Sequence, residues 1–158
     1  MILDAKKIGV EWESFSFSLQ DINLKRLMHD KIVQDINLTC LVKIKREHDR
    51  FDFIGEVAGH YNRACQSCLA LIKKEHNHNF TIKLLPENDQ EFKGTNKKLD
   101  LQDCDVDMYQ KNQLPADKYI EDYLILELPD SFRCSDNCLG LCQTCGADLN
   151  KGNCQCLK

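Results

Sequence analysis

The chain has 158 residues, with 25 acidic and 21 basic side chains and a net charge of −4. That length suits one domain with an appendage rather than two full domains. The acidic balance argues against a protein wrapped broadly around nucleic acid, although one basic face is still compatible with it.

No stretch reaches the roughly 18 apolar residues of a membrane span. The charged N-terminus, MILDAKKIGVEWESFSF, lacks the apolar run of a secretory signal. The expected setting is therefore the cytoplasm, with no membrane partner.

Phe15, Phe17 and Leu19 alternate with serines and predict a half-buried strand. Residues 20–34 carry Ile22, Leu24, Leu27 and Met28 at mixed spacing, which fits a short helix or an irregular connection equally well. From Asn37 to Arg46, Leu38, Cys40, Val42 and Ile44 alternate against Thr39, Leu41, Lys43 and Lys45. After the polar tip at residues 47–50, Phe51, Phe53, Gly55, Val57, Gly59 and Tyr61 alternate again. Two alternating runs around a short polar break predict an antiparallel hairpin.

The second strand ends at Cys65-Gln66-Ser67-Cys68, and a third extended segment follows over residues 69–85. There Phe80, Ile82 and Leu84 point one way, with Thr81, Lys83 and Leu85 opposite. Residues 86–98 read as a polar loop, Leu99-Asp100-Leu101 as a short strand, and Asp103, Asp105 and Asp107 as an acidic patch. Residues 116–127 predict a helix started near Asp117 and stopped by Pro129, with Ile120, Tyr123 and Leu124 buried. The fold class expected is α+β: an antiparallel sheet with a packed helix over residues 1–133, and a zinc-ribbon-like, cysteine-rich tail over 134–158 docked on it.

Six of the ten cysteines crowd that tail: Cys134, Cys138, Cys142, Cys145, Cys154 and Cys156. With Cys65 and Cys68 they make eight thiols at short gaps, several beside glycine, which is the pattern that tetrahedral thiolate coordination of zinc asks for. A disulfide framework would need an oxidising compartment, and a thioredoxin-like role for Cys65 and Cys68 would need a βαβ context that is missing. Cys40 and Cys104 stand alone and read as ordinary thiols. The tail offers only Leu139, Leu141, Leu149 and Leu157 as bulky apolar groups, too few to fold it by burial alone.

Three segments stand out in order: Ala64-Cys65-Gln66-Ser67-Cys68-Leu69, Tyr123-Leu124-Ile125-Leu126-Glu127-Leu128-Pro129 and CSDNCLGLCQTCGADLNKGNCQC. Together they resemble the YceD family of large-ribosomal-subunit RNA accumulation proteins. The similarity covers roughly residues 35–157 and is most specific in the tail. It implies a cytoplasmic, non-enzymatic factor in processing or accumulation of large-subunit ribosomal RNA, zinc-ribbon-like and nucleic-acid-binding. No nucleophile–base pairing or phosphate-cradling loop opposes that reading, and an all-cysteine ligand set suits closed structural sites rather than catalytic ones.

Sequence proximity pairs Cys142 and Cys145 with Cys154 and Cys156, leaving Cys65 and Cys68 to meet Cys134 and Cys138. One or two zinc ions are expected. For nucleic acid, Lys43, Lys45, Arg63, Lys73 and Lys74 are the candidate phosphate contacts. Tyr61, His76, His78 and Phe80 are candidate stacking or hydrogen-bonding groups, with both histidines on one exposed face. The expected partner is ribosomal RNA or a pre-ribosomal particle. The alternative is a docking module for a basic ribosomal or assembly protein, using acidic groups such as Glu121, Asp122 and Glu127.

Overall fold

The computed structural model describes residues 1–20, 24–30, 33–89, 105–152, 154 and 156. The hairpin anticipated from alternation is the centre of the molecule. Strands β3 (Val33–Glu47) and β4 (Arg50–Ala64) pair antiparallel from Glu47↔Arg50 to Val33↔Arg63. Strand β5 (Leu71–Pro86) pairs antiparallel with β4 along its length, and β2 (Glu13–Ser18) pairs antiparallel with β3.

A fifth strand, β6 (Val106–Tyr109), joins the far edge of β5 in parallel, giving the order β2-β3-β4-β5-β6. The sheet is thus mostly antiparallel rather than wholly so. A small second sheet joins β1 (Ile2–Asp4) to β7 (Gln113–Pro115).

The period-2 pattern explains which face is buried. Leu38, Cys40, Val42 and Ile44 of β3 lie beside Phe53 and Val57 of β4 on one face, all buried, and Leu84 of β5 continues the row opposite Phe51. Each such side chain taken from water contributes about 1.5–3 kcal/mol before entropy is counted.

Helix α2 (Ala116–Glu127) covers this face, burying Ile120 and Leu124. Tyr119 meets Phe53 edge-on at 5.7 Å between ring centroids, and Tyr123 stacks on Phe80 at 4.2 Å. The helix spans the expected residues 116–127, but its cap differs from expectation. Its N-cap is Pro115, while Asp117 bonds the Lys118 N–H and pairs with the chain's N-terminal ammonium.

Helix α1 (Lys25–Asp30) occupies the stretch whose pattern was ambiguous. The buried Glu121 of α2 accepts the Arg26 and Leu27 N–H groups at 2.8 and 3.2 Å and the Arg26 side chain at 3.0 Å. One carboxylate thereby satisfies otherwise orphaned donors and ties the two helices together. At the β3 irregularity between Gln34 and Asn37, Gly59 has φ +137 and a Cβ there would sit 2.2 Å from the Asn37 oxygen, so only glycine fits. Of the anticipated features between 86 and 107, residues 90–104, with Leu99, Leu101, Asp103 and Cys104, lie outside the described residues. Asp107 lies within β6.

Candidate metal centres

The β4–β5 connection is itself a ligand-bearing turn. After Ala64 the chain turns through Cys65 to Cys68. The Leu69 N–H donates to the Cys65 carbonyl at 2.9 Å, the Cys65 N–H donates to the Ala70 carbonyl at 2.9 Å, and the Ser67 N–H points at the Cys65 sulfur, 3.4 Å away. The tail repeats the motif: the Gly146 N–H donates to the Cys142 carbonyl at 2.9 Å. In both turns the residue after Cys-x-x-Cys has positive φ, +72 at Gly146 and +61 at Leu69. Leucine thus occupies a position that favours glycine.

The eight thiols form two groups, Cys65, Cys68, Cys134 and Cys138, and Cys142, Cys145, Cys154 and Cys156. Within each, every sulfur lies within 4.8 Å of the others. In the first group, the Cys65–Cys138 and Cys68–Cys134 sulfurs are 3.8 and 3.7 Å apart. A tetrahedron with metal–sulfur bonds of about 2.3 Å has edges of about 3.8 Å, so the donor set and spacing fit a closed four-thiolate ion. In the second group Cys142 and Cys154 approach to 3.3 Å. The first centre is anchored by buried Cys65 and Cys68, whereas the second exposes Cys145 and Cys156.

Each turn prepares one thiolate. Burial pushes the Cys65 thiol up, but the N–H groups of Cys68, Ser67 and Cys134 outweigh it and bring it down to about 6. The N–H groups of Cys145 and Thr144 bring Cys142 to about 6 as well. Cys68 goes the other way, to about 12: the Ala70 N–H lowers it, but burial and the neighbouring sulfurs prevail. The first cysteine of each knuckle is therefore the natural first ligand, and a bound cation would draw off the remaining protons. Cys40, by contrast, is pushed to about 12 by burial and belongs to the core.

Neighbouring residues brace the centres. Asn150 accepts the Leu139 N–H at 2.8 Å, points its amide nitrogen at the Cys138 sulfur at 3.6 Å and is itself held by Asp148. It stands in the tail between Cys145 and Cys154, so it couples the second centre to the first. The Leu141 N–H donates to the Ser67 carbonyl at 3.0 Å, and Gly140 (φ +73) packs against Ser67.

The segment entering the tail is bound to the sheet by Arg63. It donates to the Pro129 carbonyl and, at 3.1 Å, to the Asp130 carbonyl. Gln66 contributes its backbone N–H to Phe132 and its side-chain amide to Asp130, both at 2.9 Å.

The candidate phosphate contacts do not gather on one face. Arg63 is buried and committed to those carbonyls. Lys74, opposite Tyr61, lies on the same side of the sheet, its ammonium 5.2 Å from the Phe132 ring centroid. Lys43, Lys45 and Lys73 lie on the opposite face, where Lys45 pairs with Asp52 at 3.1 Å.

Tyr61 and His76 are buried, and Phe80 is half-buried beneath Tyr123, so these rings serve the core. Only His78 of the histidine pair is exposed, and it pairs with Glu127 at 3.2 Å. The sequence held the signals for these placements. Arg63 continues the Phe51-to-Tyr61 alternation, and adjacent Lys73 and Lys74 must point to opposite faces.

Together these features define a mixed-sheet α+β protein whose cysteine-rich tail shares one four-cysteine group with the β4–β5 turn and holds a second within itself, each spaced to take a metal ion. The family described as Large ribosomal RNA subunit accumulation protein YceD matches residues 53–158, spanning both centres, and the chain belongs to that family. Comparison with curated proteins and with solved structures gave no match. Among the described residues, no helix is long and apolar enough to cross a membrane.

Proposed function

We propose that the chain is a zinc-stabilised, non-enzymatic cytoplasmic factor for processing and accumulation of large-subunit ribosomal RNA and for ribosome assembly. It acts by binding that RNA, or an assembly partner, within a pre-ribosomal particle. The observation that carries this reading is the family match across both cysteine centres. Zinc is the metal that an all-thiolate tetrahedral site favours. Both centres act structurally: the second closes the tail on itself, and the first holds this segment of little apolar content against the β4–β5 turn so that sheet and tail present one surface.

A second reading, docking of a basic ribosomal or assembly protein, draws support from the charge layout. On the open face, Lys43, Lys73 and Lys83 are interspersed with Asp52, Glu56 and Glu75, a mixed pattern that suits a protein surface better than a phosphate backbone.

Titration of the zinc-loaded protein against large-subunit rRNA fragments at two salt concentrations, beside titration against basic ribosomal proteins, separates the two. Direct RNA binding predicts that Lys43→Ala with Lys73→Ala flattens the salt dependence by about one to two phosphate contacts. Negligible RNA affinity with retained protein binding selects docking. Absence of both, together with normal large-subunit rRNA levels in cells lacking the protein, would overturn the proposal.

A further inference from the structure

The two cysteine groups meet on one stretch of chain. Cys138 belongs to the first and Cys142 to the second, with Leu139, Gly140 and Leu141 between them. A returning arm lies antiparallel beside that stretch. Leu141 bridges Asp148, the Cys142 N–H donates to the Ala147 carbonyl at 2.8 Å, and the Leu149 N–H donates to the Gly140 carbonyl at 3.0 Å. The arm runs from Cys145 to Cys154, two ligands of the second group, so an ion bound there fixes both of its ends. Closing the loop in this way removes chain freedom that unligated thiols would leave.

Asn150 stands within the arm, on a short turn of 3-10 helix over Leu149–Lys151. Its oxygen accepts the Leu139 N–H at 2.8 Å, which fixes the orientation of the amide. The two hydrogens of its Nδ2 are then directed to Asp148 Oδ1, at 2.7 Å, and to the Cys138 sulfur, at 3.6 Å. The same Asp148 oxygen accepts the Asn150 backbone N–H at 3.0 Å and caps the turn. A side chain carried between two ligands of the second centre thus has its polar atoms committed to the first.

We propose that Asn150 is a positioning residue through which the ion at the second centre slows loss of the ion at the first. Four thiolates around a dication leave a net charge of about −2, and an N–H directed at one sulfur relieves part of it. Asn150 supplies that N–H without being a ligand. It is held in place while the arm is closed, and an empty second centre frees Cys145 and Cys154 and leaves the arm to hydrogen bonds at the surface. By linkage, the first ion favours retention of the second by the same factor. The more exposed centre therefore guards the anchoring one, and its loss primes release of the tail from the β4–β5 turn. This inference rests on both groups holding metal and not on the RNA-linked role.

Exchange of bound zinc for isotopically enriched zinc tests it on the full chain, in zinc excess so that the second centre stays filled. The slower phase reads the first centre. Asn150→Ala, at an exposed position, is expected to speed that phase at least about tenfold, and so is Cys154→Ser with Cys156→Ser, which removes two ligands of the second centre. Adding Asn150→Ala to those serine changes should give no further acceleration, because an arm without its ion no longer places the amide. With cadmium in both centres, the first-centre cadmium resonance, the one that the serine variant retains, should shift in Asn150→Ala while two ions stay bound.

Unchanged exchange in the serine variant overturns the coupling. Accelerated exchange there with none in Asn150→Ala, additive effects on combination, or an unmoved cadmium resonance overturns the role of Asn150. A chain that binds no metal overturns this inference together with the zinc-stabilised reading, whereas two bound ions without coupling overturn this inference alone.

Discussion

The guanidinium of Arg63 lies 5.5 Å from the centroid of the Phe132 ring while donating to the Pro129 and Asp130 carbonyls. On the same ring, the Lys74 ammonium approaches to 5.2 Å. One buried cation on the last turn of β4 therefore holds the segment that delivers Cys134 to the first metal centre. Hydrogen bonds from a charged donor are stronger than neutral ones; without Arg63 the Pro129 carbonyl would lose that donor, while the Asp130 carbonyl would keep the Gln66 amide.

Arg63→Ala is accordingly expected to cost about 2–4 kcal/mol in urea denaturation of the metal-loaded protein. Lys73→Ala, on the open face, should stay within about 0.5 kcal/mol. Equal effects from the two changes would show that Arg63 is not the tether.

Metal content should distinguish the centres. Two zinc ions per chain are expected by elemental analysis, and a metal-free native protein would refute the assignment. The second centre exposes Cys145 and Cys156, so a chelator should strip it first, in a biphasic release. Cys156→Ser should remove the faster phase and leave the sheet domain folded. Cys65→Ser should remove the slower phase and lose several kcal/mol, as expected where metal binding is coupled to folding.

At Leu69 the backbone conformation disfavours its side chain, which is 64% exposed and gains little from burial. Leu69→Gly is expected to relieve more strain than the added chain entropy costs, raising stability by about 0.5–1 kcal/mol with no loss of metal. A lower melting temperature would mean that Leu69 makes stabilising contacts outweighing that strain.

Acid sensitivity should trace in part to His76. Burial first, and then the neighbouring His78, hold its pKa below the ordinary 6.5. The folded protein therefore resists a proton that the unfolded chain accepts, so stability falls as pH drops below about 6.5 toward the lowered folded value. His76→Phe should make the stability curve shallower across that window, in urea titrations of metal-saturated protein at stepped pH. An identical slope in the two proteins would exclude His76 as a source of acid lability.

Much of the centre of the fold was legible because β3 and β4 alternate strictly and one face of that hairpin is buried. Leu38 to Ile44 and Phe51 to Tyr61 needed no knowledge of their neighbours to be sorted by face. The cysteine groups were legible for a related reason: short spacing restricts which sulfurs can meet, and the tail lacks the apolar content for another way of folding. The candidate cations divide between the two faces of the sheet, a separation that grouping residues by charge alone does not show. His76 was misplaced for a different reason, since its exposure depends on how far α2 extends over β5.

By itself, then, the sequence determined the local periodicities, the turns that carry the cysteines and the division of eight thiols into two groups. These depend on residues a few positions apart or on a donor set with few alternatives. Only the tertiary structure decided the parallel seat of β6, the pairing of β1 with β7 and the docking of α1 through Glu121. It likewise decided the conversion of Arg63 from a surface cation into a buried tether. Each of these joins segments far apart in the chain, and the free energy of such contacts comes from desolvation and hydrogen bonding between surfaces that no local pattern records.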